Sequence, residues 1–97
     1  MSKQPAVYIL ASKCNGTLYV GVSSDLVKRV WEHRNDVVEG FTSHYGVHRL
    51  VYFEIFDAME QAMLREKRIK RWNRVWKIEL IERHHPGWKD LWETIVS

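Results

Sequence analysis

The sequence predicts an α+β fold built from three short strands and several helices. Residues 18–22 alternate apolar side chains with Tyr19 and Gly21, which is the period of a half-buried strand. Apolar residues then recur at helical spacing from Leu26 to Trp31. Later in the chain, Arg49–Phe56 is rich in residues that favour strands. Strands and helices are therefore expected together in one small unit.

Length and composition limit how the molecule is organised. The chain has 97 residues, of which 45% are hydrophobic and 28% are charged, so we expect a single domain over residues 1–97. No segment approaches the ~18 uninterrupted apolar residues of a membrane helix, and the N-terminus shows no signal-peptide pattern. These features predict a cytoplasmic protein. The only cysteine, Cys14, has no partner for an internal disulfide.

The first two strands are predicted to form a hairpin. Ala6–Leu10 has the composition of a strand, and the turn after it contains Asn15-Gly16, which is typical of hairpins. Antiparallel pairing allows Tyr8 and Tyr19 to lie on the same side of this hairpin. Gly21, at the end of the second strand, indicates close approach by another group and free space beside Tyr19.

The second strand leads directly into the first helix. Ser23 and Ser24 offer hydroxyl groups that can cap the helix, and Asp25 adds negative charge to its first turn. Leu26 and Val30 mark the core side of this helix. Two chemically versatile side chains, Arg29 and His33, are one turn apart along its edge. We expect both of them to reach into a cleft.

The remaining elements are predicted from turn and capping signals. A polar loop is expected over Asn35–His48, with Tyr45 as its anchor, before the third strand at Arg49–Phe56. Asp57 and Glu60 predict an approximate capping box at the start of the second helix. A third helix is predicted from an Asn73 cap to about Ile81, and a short C-terminal segment over Trp88–Ile95, in which Trp88 and Trp92 are expected in the core.

Glu66 is the main anomaly of the second helix. On a helical wheel it falls inside the apolar stripe that contains Ala62 and Ile69. A carboxylate is rarely buried without a partner, because its desolvation costs several kcal/mol. The sequence leaves two explanations open. Glu66 forms a buried ion pair, for example with Arg29, or it acts as a metal ligand or in acid/base chemistry.

A basic segment surrounds Glu66 and continues beyond it. Seven cations occur between Arg65 and Lys77, interleaved with Trp72 and Trp76. Such a segment can neutralise phosphates and stack on bases, or it can be a solvated face over two core tryptophans. The net charge of +3 and the pI of about 9.2 are mild support for a polyanionic partner.

Other site types lack support in the sequence. His44 and His48 are four apart, but Gly46 between them and the strand just after argue against a helix that would align them on zinc. The adjacent His84 and His85 would point in different directions on a helix. The chain has no glycine-rich phosphate loop, no G-x-S-x-G motif and no paired-carboxylate site. What remains is one isolated carboxylate, two tyrosines, an arginine and a histidine. This sparse set suits Mg²⁺, which is commonly held by one or two carboxylates, waters and a substrate phosphate.

The order and spacing of these residues resemble the GIY-YIG nuclease domain. The motifs that carry the resemblance are Ala6-Val7-Tyr8, Tyr19-Val20-Gly21, Arg29, His33 and Glu66. The pattern A-x-x-x-E-K-x-I-K-x-W over residues 62–72 is similar to that of small stand-alone bacterial members. The chain departs from the family pattern at Ala6, where a glycine is usual, and at His85, where an asparagine is expected.

The resemblance implies a three-stranded antiparallel sheet flanked by helices, and hydrolysis of DNA phosphodiesters with Mg²⁺ or Mn²⁺. By analogy, Glu66 would hold the single metal ion and Arg29 would stabilise the transition state. Tyr8 would be the general base, its phenol made more acidic by nearby cations and by His33, and Tyr19 would orient the water or phosphate.

The basic segment is expected to follow the DNA backbone, which supplies affinity with little sequence information. The residues assigned to this role are Lys67, Lys70, Arg71, Arg74 and Lys77. Low sequence specificity is therefore expected, with a preference for branched or nicked DNA, as in repair or recombination, or direction by a protein partner. Two alternatives stay open at this point: a catalytically silent nucleic-acid-binding domain, and a structural or interaction module with the same fold.

Overall fold

The computed structural model describes residues 3–37 and 40–97 and confirms the α+β fold with a three-stranded antiparallel sheet. Residues 1, 2, 38 and 39 of the predicted domain lie outside the described residues. The strands are β1 (Ala6–Ala11), β2 (Leu18–Ser23) and β3 (Arg49–Ile55). The helices are α1 (Leu26–Arg34), α2 (Phe41–Tyr45), α3 (Met59–Arg71), α4 (Arg74–His84) and α5 (Trp92–Val96).

Strand β1 is the centre of the sheet, whose order is β2-β1-β3. All six of its residues are buried, because it is paired on both edges and covered on both faces. The predicted β1–β2 hairpin is confirmed, with Tyr8 opposite Gly21 and Leu10 opposite Tyr19. This register sends Tyr8 and Tyr19 to the same face of the sheet.

Two hydrophobic cores form, one on each face of the sheet. The α3/α4 core joins strand residues such as Val7 and Ile9 to Ala62 and Ile69 of α3 and to Leu80 and Ile81 of α4. The α1/α5 core joins Ala6, Tyr8 and Leu10 to Leu26 and Val30 of α1 and to Ile95 of α5. A bulge in β3 between the partners of Ile9 and Leu10 places both Val51 and Tyr52 in the α3/α4 core.

The start of α1 differs from the prediction. Ser23 is the last residue of β2 and pairs with Ala6, so it is still extended where a helix cap would be needed. Asp25 is the N-cap, and its Oδ1 accepts a hydrogen bond from Lys28 N at 3.3 Å. The hydroxyl of Ser23 instead accepts from Asp25 N at 3.0 Å, which holds the strand-to-helix turn.

The predicted loop at 35–48 contains a short helix, α2. Val38 and Glu39 of this loop lie outside the described residues. The prediction that Tyr45 anchors the segment is wrong, since 53% of Tyr45 is exposed. Among the described residues of this segment, Thr42 and Val47 are the buried ones, because Val47 packs in the α1/α5 core and Thr42 bonds to a side chain of α1.

Two predicted helix ends need correction. Helix α3 begins at Met59 after Ala58, which has extended backbone and no side-chain cap, so the Asp57–Glu60 capping box is wrong. The Asn73 cap of α4 is confirmed, since its side chain accepts from Trp76 N at 2.9 Å. That helix continues to His84 rather than Ile81 and stops before Pro86, which has no N–H to donate.

The segment after α4 closes the far edge of the sheet. Trp88 is fully buried, as predicted, and Trp92 packs partly buried against the α1/α5 core. Leu91 N donates to Leu50 O at 2.8 Å, and Leu50 N donates to Asp90 Oδ1 at 3.3 Å. These bonds attach the C-terminal segment to the outer edge of β3. Over the ranges described, none of the helices has the length and apolar character needed to cross a bilayer.

Candidate active site

Three aromatic rings meet on the α1/α5 face of the sheet. The ring centroids of Tyr8 and Tyr19 are 6.3 Å apart, and His33 of α1 lies 5.8 Å from Tyr8 and 5.3 Å from Tyr19. The prediction that both phenols lie on one side of the hairpin is confirmed. The β1–β2 register brings the tyrosines together, and the direct β2-to-α1 connection places His33 over them.

Gly21 makes room for this cluster. A Cβ atom at position 21 would lie 2.5 Å from Cζ of Tyr8, which is too close for a real contact, and 3.0 Å from Cε2 of Tyr19, which is unusually tight. The sequence correctly indicated a close approach at Gly21. The space is not open, however, because the phenol of Tyr8 occupies it.

A chain of hydrogen bonds crosses the cluster. Tyr8 Oη lies 3.1 Å from His33 Nε2, and His33 Nδ1 lies 2.9 Å from Thr42 Oγ1. The sequence predicted that His33 lies along the edge of α1, but the structure buries it. Thr42 was missed, since nothing marks a polar residue in a polar segment as the partner of a distant histidine.

The environment of His33 favours the neutral form of its imidazole. Burial lowers the pKa of His33, and the positive charge of Arg29 lowers it further, while Glu32 acts in the opposite direction. A neutral imidazole donates from one nitrogen and accepts at the other. His33 can therefore accept a proton at Nε2 when Nδ1 donates to Thr42 Oγ1.

The phenol of Tyr8 is not made more acidic by its surroundings, and this part of the prediction is wrong. Burial raises the pKa of Tyr8 well above its ordinary value, and Tyr19, Glu66 and Glu32 add to the increase. Arg29 opposes them without cancelling the effect of burial. The cations were visible in the sequence, but the burial of Tyr8 was not.

Arg29 lies on α1, one turn before His33, and its side chain is partly exposed. Its Nη1 is 3.5 Å from Glu32 Oε1, and 43% of its side chain is exposed. Its positive charge lowers the pKa of both Tyr8 and His33. A cavity of about 480 Å³ opens beside it, also lined by Lys28 and Glu32. Glu32 was missed, although its spacing of three residues from Arg29 on a helix was a usable signal.

Glu66 is a largely buried carboxylate on α3, with 15% of its side chain exposed. Its partner is Lys70, whose Nζ lies 3.2 Å from Glu66 Oε2. The ion pair between Glu66 and Arg29 that the sequence left open is not formed, since each of them pairs within its own helix. The negative charge of Glu66 still contributes to the raised pKa of Tyr8.

The carboxylate of Glu66 fits a single hard cation that keeps most of its waters. In residues 3–37 and 40–97, no three His, Cys, Asp or Glu side chains gather closely enough to enclose a metal ion. A site closed entirely by protein ligands is thus not available there. One carboxylate, completed by waters and a substrate phosphate, is a normal arrangement for Mg²⁺.

The cations predicted to contact DNA differ in their exposure and in whether they already bond to other protein groups. Arg74 Nη2 donates to the carbonyl oxygens of Asn15 and Gly16, each at 2.7 Å, and so holds the β1–β2 turn. Lys70 is paired with Glu66. Lys67 and Arg71 are exposed, and Lys77 is half-buried. Trp76 is 54% exposed, so only Trp72 of the two tryptophans packs against the α3/α4 core.

Comparison with known proteins gives consistent results. A family model described as the GIY-YIG catalytic domain matches residues 4–79. A UPF0213 protein of Staphylococcus saprophyticus is 39% identical over 75 residues, which cover 76% of this chain and 92% of that protein. A UPF0213 protein of Clostridium perfringens is 40% identical over 75 residues, covering 77% and 80% respectively.

A solved structure agrees with the sequence relatives. The solution NMR structure of a UPF0213 protein from Bacillus halodurans superposes with a TM-score of 0.57 at 28% identity, covering 90% of this chain and 92% of that one. The family model spans most of the chain and includes the tyrosines, Arg29, His33 and Glu66. The chain therefore belongs to the GIY-YIG family, together with the UPF0213 proteins.

Proposed function

We propose that this protein is a metal-dependent endonuclease that hydrolyses phosphodiester bonds in DNA. The observation that carries the proposal is the Tyr8–His33 hydrogen bond at 3.1 Å, with Arg29 and Glu66 acting electrostatically on the same phenol. One buried hydroxyl thus has a proton acceptor within hydrogen-bond distance, and the charges of a planar cation and a carboxylate act on it. Membership of a family of nuclease domains supports the same reaction.

Glu66 is the residue that would hold the metal ion. A bound Mg²⁺ or Mn²⁺ would polarise the phosphate and offset the negative charge that develops on the leaving oxygen. Lys70 already neutralises Glu66, and its exposed ammonium group can turn to a neighbouring phosphate when the carboxylate takes a cation. The helix therefore supplies a carboxylate whose present partner is replaceable.

Arg29 would stabilise the transition state. Its guanidinium stays charged at any working pH and presents paired donors that match two phosphate oxygens. The present contact to Glu32, at 3.5 Å and half exposed, is weak and leaves donors available. Glu32 would orient the guanidinium of Arg29 without fully neutralising its charge.

Tyr8 and His33 would remove the proton of the attacking water together. Because burial raises the pKa of Tyr8, a free phenolate is costly. A relay avoids it: Tyr8 Oη takes the proton of the water while its own proton passes to Nε2 of the neutral His33. Tyr8 is then neutral before and after transfer, and Tyr19 orients the water or the phosphate.

The exposed cations of α3 and α4 would bind the DNA backbone. Lys67 and Arg71 are the freest of them, with Lys77 next, whereas Arg74 and Lys70 have partners within the protein. Backbone contacts carry no direct sequence information, so cleavage is expected to have low sequence specificity. A role in repair or recombination of branched or nicked DNA is consistent with this.

The test is incubation of supercoiled plasmid with the purified protein in Mg²⁺, in Mn²⁺ and in a chelator. The proposed reaction gives nicked and linear products with either metal and none with the chelator. A protein that only binds DNA retards the plasmid equally in all three conditions and cleaves in none. That result would reject the endonuclease assignment while keeping a binding function.

A further inference from the structure

Aromatic side chains continue outward from the candidate site along α2. The ring of Phe41 lies 6.2 Å from Tyr19 with an interplanar angle of 30°, which is a stacked arrangement. Tyr45 follows at 4.8 Å from Phe41, and His44 meets the edge of Tyr45 at 4.7 Å. The series begins at the catalytic candidates and ends at the surface.

These outer rings are not part of a hydrophobic core. Phe41 is 46% exposed and Tyr45 is 53% exposed, so each presents about half of its surface to solvent. By contrast, Thr42 and Val47 bury the opposite side of the segment. The segment thus uses small residues for attachment and leaves its two large rings outside.

The exposed rings are held at a fixed place relative to the reaction centre. Thr42 Oγ1 bonds to His33 Nδ1 at 2.9 Å, and Val47 N donates to Thr42 O at 2.9 Å. The same residue therefore orients the catalytic histidine and secures the helix that carries Phe41 and Tyr45. A ligand seated on these rings is positioned with respect to Tyr8 and Arg29.

We propose that Phe41 and Tyr45 form an aromatic platform on which unpaired DNA bases stack, so that the preferred substrate has single-stranded nucleotides beside the scissile phosphate. The inference rests on the proposed function and specifies its substrate class. Exposed rings bind bases through their π-faces regardless of sequence. In a duplex those faces are covered by neighbouring base pairs, whereas unpaired bases are free to turn outward.

The position of the platform identifies bases as its occupant. It is continuous, through Tyr19, with the rings of Tyr8 and His33, and Arg29 precedes His33 by one turn of α1. A strand whose phosphate lies at Arg29 carries its adjoining bases toward Phe41 and Tyr45. Phosphate contact at one end and aromatic surface at the other match the two parts of a nucleotide.

The experiment measures binding in a chelator, so that cleavage plays no part. The probes are a single-stranded oligothymidylate containing one fluorescent adenine analogue, whose emission is quenched by stacking, and a hairpin duplex with the same analogue. Phe41→Leu and Tyr45→Leu keep apolar bulk at α2 but remove the aromatic faces. Trp31→Ala is the control, since Trp31 is 49% exposed on α1 but points about 200° around the helix from Arg29.

The wild-type protein should bind the single strand more tightly than the duplex and quench its analogue. Each leucine variant should weaken single-strand binding ~10-fold and lose the quenching, with duplex binding almost unchanged. Trp31→Ala should behave as wild type. Equal affinity of the wild type for both probes, or parallel losses on both probes in the variants, would overturn the platform. So would a wild-type dimer in solution that Phe41→Leu converts to a monomer.

The two proposals fail separately. If the protein binds single strands through Phe41 and Tyr45 but cleaves no DNA in Mg²⁺ or Mn²⁺, the platform stands and the endonuclease assignment is wrong. If it cleaves duplex plasmid and neither leucine variant changes the preference for single strands, the platform is wrong and the endonuclease stands.

Discussion

Two regions of the molecule hold the same three kinds of residue, a buried tyrosine, an arginine and a glutamate, yet they bond them differently. On the α3/α4 face, Tyr52 donates to Glu54, and Arg65 donates to both oxygens of Glu54 at distances between 2.9 and 3.2 Å. At the candidate site, each of the three residues bonds to a different partner outside the group. Tyr8 bonds to His33, Arg29 to Glu32 and Glu66 to Lys70.

This difference separates a group of residues that bond to one another from a group whose members each have a partner outside the group. Burial raises the pKa of Tyr52 as it raises that of Tyr8, so a buried phenol alone does not identify a site. In the Tyr52 group, the carboxylate of Glu54 is neutralised by Arg65, which donates to both of its oxygens. In the Tyr8 group, Arg29 meets Glu32 at 3.5 Å and Glu66 meets the half-exposed Lys70 at 3.2 Å, so each has a single partner within its own helix.

The largest expected contrast is between the two glutamates. Glu66→Gln should lower the single-turnover cleavage rate ~10³-fold or more, since an amide is a poor ligand for a hard cation. Its melting temperature should stay close to wild type, because only an i,i+4 pair with Lys70 is lost. Glu54→Gln should cleave normally but lose about 2 kcal/mol of stability, since it breaks charged hydrogen bonds to Arg65.

Single-turnover kinetics and thermal melting on the four-member set of wild type, Glu66→Gln, Glu54→Gln and Glu60→Gln check this prediction. Glu60 is exposed in the first turn of α3 and controls for charge on that helix. A strongly destabilised Glu66→Gln that still cleaves would reverse the comparison, because Glu66 would then be the structural carboxylate.

The arginines provide the second contrast. Arg29→Lys keeps the charge but loses the planar donors, so cleavage at saturating protein should fall ~10²-fold or more while DNA affinity hardly changes. Arg65→Lys should cost about 1 kcal/mol of stability with no effect on the rate per folded molecule. Binding isotherms and single-turnover rates separate these effects.

A complementary double variant tests whether DNA affinity can be lost without loss of the cleavage rate. Lys67→Gln combined with Arg71→Gln should weaken binding and reduce the slope of log affinity against log salt by about two, with the saturated rate preserved. We choose this pair rather than Lys70 because Lys70 contacts Glu66. Normal cleavage by Arg29→Lys at saturation would make Arg29 a backbone contact instead of a catalytic residue.

The tyrosines provide the third contrast. Tyr8→Phe and Tyr52→Phe each remove one buried hydroxyl, and each should cost about 1 kcal/mol of stability. Only Tyr8→Phe should also slow cleavage, by ~10²-fold, because it breaks the proton relay to His33. Equal rates for the two variants, measured in single turnover, would show that the Tyr8–His33 bond is structural like that of Tyr52.

The smallest expected effect concerns the titration of His33, measured by NMR. Its folded pKa lies below the ordinary value, so the folded protein binds fewer protons than the unfolded chain and loses stability as pH falls below about 6.5. Arg29→Gln removes a positive charge that lowers the pKa of His33, so this pKa should rise, whereas Lys28→Gln should leave it unchanged. An unchanged His33 titration in Arg29→Gln would mean that the guanidinium does not face the imidazole.

The cleavage rate should follow the same titration. It should fall in acid as His33 takes a proton, and it should stay level through neutral pH. Because the pKa of Tyr8 is raised, no loss from ionisation of its phenol is expected on the alkaline side of neutrality.

The sequence was sufficient to predict the three strands, the hairpin and the meeting of Tyr8 with Tyr19, because alternation and turn chemistry are local signals. It also found Glu66, because a carboxylate in an apolar stripe conflicts with the hydrophobic pattern around it. The fold class and the family follow from such local patterns.

What the sequence could not supply depends on distant partners. Asp57 has the side chain of a cap, but the chain leaving β3 becomes helical only at Met59. The role of Thr42 depends on His33, and the pKa of Tyr8 depends on burial by both helices and sheet. The sequence named Tyr8, Tyr19 and His33 together, and the structure clusters their rings, but the predicted acidity of Tyr8 is wrong.

The attachment of the C-terminal segment to β3 has a consequence for the solution behaviour of the protein. A strand at the edge of a sheet offers unpaired N–H and C=O groups to any other strand, which is a route to aggregation. Here Leu50 has both groups occupied, its N–H by Asp90 and its C=O by Leu91, and Arg49 bonds to Trp88 O at 3.1 Å. Residues 88–91 thus cover this end of the β3 edge, so a strand of a neighbouring molecule cannot pair with it there.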